Sequence, residues 1–101
     1  MASRESLHEM LKDMLGSSNV YYQPPESEKM KYPAIRYSKS NIESRYANDT
    51  KYSMMDRYEI IVIAKRPDHP VIKKLLMLPY CSYDRPYVSD NLNHDVLTLY
   101  Y

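Results

Sequence analysis

Apolar residues recur near the start of the chain at Leu7, Met10, Leu11, Met14 and Leu15. This i, i+3, i+4, i+7, i+8 series predicts an amphipathic helix. Ser3 or Ser6 is placed to cap its start, and Gly16 to end it in the left-handed region. At about 1.5 Å per residue such a helix is too short to stand alone, so it requires a sheet to lie on. From Tyr58 to Ala64 the period changes to two. Tyr58, Ile60, Val62 and Ala64 alternate there with Ile61 and Ile63, so the strand is apolar on both faces. Such a strand belongs in the middle of a sheet, with helices on both faces, or with helices on one and a partner surface on the other. Asp68 then opens a second helix as its cap, with Pro70 in the first turn. Val71, Ile72, Leu75, Leu76 and Leu78 form its apolar stripe, Lys73 and Lys74 point outward, and Pro79 stops it.

Shorter strands fill the remainder. Asn19 to Gln23 is halted by Pro24 and Pro25, and Pro33 to Ser38 begins on a proline. Tyr80 to Val88 is broken by Pro86, Ser89-Asp90-Asn91 is turn chemistry, and His94 to Tyr101 is the last strand. The order is α-β-β-β-α-β-β, and 101 residues make one domain, 1–101. The expected fold is α+β, two helices packed on a small, mostly antiparallel sheet. Lys39 to Tyr52 fits neither period. Its Asn48-Asp49 turn and polar flanks read either as a polar hairpin arm leaving the body or as disorder. Its Ile42, Tyr46 and Tyr52 have no obvious place in the core, which makes Lys39, Ile42, Arg45, Tyr46, Lys51 and Tyr52 the candidate partner interface.

Composition sharpens the picture at one point. Twelve tyrosines with no Phe or Trp is an unusual aromatic choice for a small core. Tyrosine favours half-wet places such as sheet faces, rims and subunit contacts, and it also has good strand propensity, so both readings stand. Net charge is +1, which argues against a global grip on nucleic acid, although Arg36, Lys39, Arg45 and Lys51 form a possible local patch. The single Cys81 suits a reducing compartment, and no run is long enough for a membrane span, so a soluble intracellular protein with no membrane partner is expected.

Catalytic and cofactor chemistry has little to build on. His8, His69, His94 and Cys81 lack the spacings that preorganise metal ligands, and a single glycine leaves no phosphate-cradling loop. The expectation is no enzyme, no cofactor and no metal site. Tyrosines on a sheet also allow a sheet-based nucleic-acid-binding module, a reading from a different class.

Four stretches carry a resemblance: Val20 to Ser27, Lys31 to Ser38, Arg57 to Ile63 and Asp84 to Tyr101, most specifically in its closing run Asp90 to Tyr101. Together they are similar to the small tail-terminator, or tail-completion, proteins of tailed phages and prophages. Leu97 and Tyr101 stand where relatives often have Phe. The resemblance implies a non-catalytic structural protein of the virion tail or neck, assembled in the host cytoplasm. It implies a homo-oligomer, six copies in a ring, seated on the major tail tube protein and offering a surface to the head connector or head-closure protein. DNA would pass through the lumen without specific binding. The nearest alternative is another neck protein, a head-closure or adaptor subunit.

Overall fold

The computed structural model describes residues 4–25, 29–40 and 56–101. They form two helices and one five-stranded mixed sheet: α1 (Arg4–Leu15), β1 (Val20–Tyr22), β2 (Ala34–Lys39), β3 (Arg57–Ala64), α2 (Pro70–Leu76), β4 (Cys81–Ser89) and β5 (Leu92–Tyr100). The α+β class follows from that content. In space the strands run β1-β2-β3-β5-β4. Only the β1–β2 pair is parallel; β2–β3, β3–β5 and β5–β4 are antiparallel. The doubly apolar β3 is the central strand.

Both helices lie on the same face of the sheet. Leu7 and Leu11 of α1, with Val71, Ile72 and Leu75 of α2, pack on Ile35, Tyr37, Tyr58, Ile60, Val62, Leu97 and Leu99. Burying a Leu or Ile side chain gives about 1.5–3 kcal/mol, so this layer supplies most of the driving force for folding. Ile61, Ile63 and Val96 belong to the other face. There Ile63 and Val96 are buried while Ile61 is only half-buried, and no described helix covers them. The register makes the split plain, because Arg36, Ile61 and Val96 lie side by side across β2, β3 and β5.

The tyrosines divide between inside and outside. Tyr37 and Tyr58 are core residues, in a tilted ring series in which Tyr22 lies 4.9 Å and Tyr58 6.0 Å from Tyr37. Tyr83 and Tyr87 are exposed. Tyr101 ties the ends of the fold together. Its backbone exchanges hydrogen bonds with Asp56 (2.9 and 3.1 Å), and its hydroxyl lies 2.7 Å from Ser6 Oγ on α1.

Several local expectations change. The cap of α2 is His69, whose Nδ1 accepts from Val71 N–H at 3.1 Å, rather than Asp68. Asp68 sits at φ +59°, a left-handed position one residue too early to reach the first turn. Helix α2 ends at Leu76, with Met77 as its C-cap, before Pro79 is reached. Leu76 lies on the outer side of the stripe and is exposed. Pro86 does not break β4, because β4 is an edge strand and tolerates a missing donor.

Gly16 fulfils its expected role at φ +77°, with its N–H donating to Lys12 O at 2.9 Å. An added Cβ would meet nothing within 4 Å, so the backbone alone sets the cost of replacement. Gly16→Ala is expected to destabilise by about 1 kcal/mol, read as a lower urea midpoint at unchanged slope.

Candidate functional site

Helix α2 has seven residues. It is too short to cover β4, whose residues beyond Cys81 are all exposed. Apolar surface remains uncovered here: Met77 is 84% exposed and Val88 70%, with Leu76, Tyr83 and Tyr87 at 39–42%. All five belong to α2, its C-cap or β4. Between helix and strand lies a hollow of about 410 Å³ lined by His69, Ile72, Lys73 and Leu76 on one side and Tyr83 and Asp95 on the other. A second of about 310 Å³ continues it past Pro86 and Val88.

An exposed edge strand ordinarily invites another strand. This one is guarded. A bulge between Tyr83 and Arg85 interrupts its register, Pro86 removes a donor, and Asp84 and Arg85 pair with each other at 2.8 Å. The opposite edge, β1, is three residues long and is followed closely by Pro24 and Pro25. Contacts at the β4 flank therefore run through side chains: an apolar cluster beside Lys73, with polar groups behind it.

Those polar groups are already engaged. The Tyr83 hydroxyl donates to Asp95 Oδ1 at 2.7 Å, and this bond is the main reason its phenol is pushed up to about 12. His69 Nδ1 is committed to the helix cap. Burial pushes the Cys81 thiol up to about 11, so at neutral pH it carries almost no thiolate, the nucleophilic form. Among the described residues no group of three or more His, Cys, Asp or Glu side chains is placed to hold a metal ion. What the flank offers chemically is shape and apolar area.

On the far side of the molecule, His8 Nδ1 lies 2.7 Å from the Tyr37 hydroxyl, and the Arg4 guanidinium sits 4.4 Å above the Tyr22 ring. Burial, aided by the charges of Lys12 and Arg4, lowers the His8 pKa below 6.5, while Glu9 opposes the shift. The unfolded chain then binds the proton more readily than the folded one, so stability falls as pH drops below the free imidazole value. His8→Gln is expected to flatten that part of a stability-against-pH curve between pH 7 and pH 5.

Of the six residues predicted from sequence to form the partner interface, Lys39 is described. It closes β2, and its Nζ pairs with Asp56 at 3.3 Å. The neighbouring Ser40 N–H donates to Arg57 O at 2.7 Å. This pairing holds together the ends of two adjacent antiparallel strands where the chain leaves β2 and rejoins β3. Ile42, Arg45, Tyr46, Lys51 and Tyr52, with the expected hairpin arm, lie outside the described residues. Sequence reasoning missed the α2–β4 flank. Its one available signal was Met77, an apolar residue between Leu76 and Leu78 that the stripe of Val71, Ile72, Leu75, Leu76 and Leu78 leaves out.

No helix among the described residues is long and apolar enough to cross a membrane. No family model, curated protein or solved structure matches the chain.

Proposed function

We propose that the chain is a non-catalytic structural protein that caps the head-proximal end of a phage tail tube as a ring, ending tube polymerisation and joining tail to head. The observation that carries this reading is the row of exposed apolar residues along the α2–β4 flank: Met77 at the end of α2, Leu76 and Tyr83 across one hollow, and Val88 farther along β4. It adjoins a strand edge guarded against backbone pairing. Apolar and aromatic groups exposed along one flank are the makings of an interface. The opposite flank, with Arg4 over Tyr22 and the short β1, is different in composition. Contact between two unlike flanks is heterologous, and repeated around a closed rotation it yields a ring.

In this proposal copies meet through the α2–β4 flank, and the number of copies is six, as the sequence resemblance implies. The segment between β2 and β3, with Ile42, Arg45, Tyr46, Lys51 and Tyr52, together with Lys39 at its base, contacts the tail tube or the adjoining subunit. The head connector or head-closure protein takes the remaining face of the ring.

Electron micrographs of particles lacking the protein test the assignment. Tails of irregular length are expected. Tails of normal length accompanied by heads that leak DNA would instead identify a head-closure protein and overturn the terminator reading.

A further inference from the structure

Sequence order suggests grouping Arg36 with Lys39, but the sheet separates them. Residues three apart on a strand point to opposite faces, and Lys39 is held on the helix side by its position opposite Tyr58 and its pair with Asp56. Arg36 instead faces away from both helices, and the register gives it new company there. One row across the sheet reads Arg36, Ile61, Val96, Arg85, and farther along β3 on the same face Arg57 lies opposite Tyr100. With strands about 4.8 Å apart and about 3.3 Å per residue, Arg36 and Arg85 stand roughly 14 Å apart across the sheet. Arg57 is roughly 13 Å from their row along β3.

We propose that this face, which neither α1 nor α2 covers, binds nucleic acid through its phosphodiester backbone, with Arg36, Arg57 and Arg85 as the phosphate contacts. Charge complementarity selects the partner. Among the described residues Arg36 and Arg57 have no ion-pair partner within 4 Å, and the carboxylate sharing their face is the half-buried Glu59. Arg85 pairs with its exposed neighbour Asp84, an interaction worth about 0–1 kcal/mol that a phosphate readily replaces. Ser38, Thr98 and Ser82 form the adjacent row and add hydroxyl donors between the cations.

A protein partner would seek large apolar anchors at the centre of the face. The central apolar residues Ile63 and Val96 are 2% and 1% exposed and have no surface to give, whereas Arg36 and Arg85 are exposed. Tyr87, stacked on His94 at 4.6 Å, stands at the rim of the same face. A net charge of +1 for the whole chain is no obstacle, because the three guanidiniums are gathered on one surface. The inference concerns a single copy and does not depend on the ring.

The test is binding of the full chain to a labelled mixed-sequence DNA, as duplex and as single strand, over a series of sodium chloride concentrations. Three phosphate contacts predict a log–log salt slope of about −2 for the single strand and about −2.7 for the duplex. Arg36→Gln, Arg57→Gln and Arg85→Gln should each weaken binding several-fold and reduce the slope by about 0.7–0.9. Lys12→Gln, on α1, should change neither. Tighter binding of the single strand than of the duplex, lost in Tyr87→Ala, would show a base stacked at the rim in addition to the phosphate contacts. Absence of salt-sensitive binding to both forms of DNA, or arginine variants with the wild-type slope, would overturn the proposal.

Discussion

Met77→Lys is expected to abolish self-assembly while leaving the monomer folded. The side chain is 84% exposed in the isolated chain, so its replacement removes almost no intramolecular packing. Surface changes of that kind stay within about 0.5 kcal/mol. A lysine is also compatible with the C-cap of α2, where a cation interacts favourably with the helix dipole. In the proposed ring the α2–β4 flank is buried between copies, and Met77 at the end of α2 is buried with it. Burying an unpaired ammonium there costs several kcal/mol, and 1.4 kcal/mol is already about a factor of ten in affinity. The expected result is at least about 100-fold weaker association with an unchanged melting temperature. If the variant assembled like the wild type, the α2–β4 flank would not be the contact.

The second large effect concerns the one-sided core. Ile60 is fully buried at the centre of β3, with Tyr37 on one neighbouring strand and Leu97 on the other. Ile60→Ala leaves a cavity under both helices and is expected to cost about 2–5 kcal/mol. Domains of this size have about 5–15 kcal/mol in total. At about 4–8 °C per kcal/mol, the melting temperature should fall by at least about 10 °C. Ile61, the next residue, faces away from both α1 and α2 and is half-buried. Ile61→Ala should therefore cost markedly less. Equal losses at the two positions would mean that the second face is packed as tightly as the first.

The contrast between these neighbours also shows what the sequence could reveal. Helix α1, central strand β3 and helix α2 were legible because periods of 3.6 and two are local, and because Gly16 and Pro70 punctuate them. Strand neighbours were not legible. That β1 runs parallel to β2, and that β5 lies between β3 and β4, depends on pairings between distant segments. The consequences fall on function. Arg57 and Arg85 join Arg36 only through register, and Leu76 and Tyr83 approach one another only because α2 stops short of β4.

Local chemistry misled at Asp68. An aspartate ahead of Pro70 is a good cap on composition, but its positive φ hands the role to His69. The tyrosine count was ambiguous for a related reason. A ring buried at Tyr37 with its hydroxyl beside His8, and a ring exposed at Tyr83 with its hydroxyl on Asp95, are indistinguishable in composition.

In the proposed ring a single copy leaves the α2–β4 flank unfinished, and identical copies complete it. Sedimentation of the purified protein across a wide concentration range tests this directly. A closed assembly of six 12.0 kDa chains, 72 kDa, replacing the monomer as concentration rises is the predicted result. A 12.0 kDa species that persists unchanged at every concentration would contradict it.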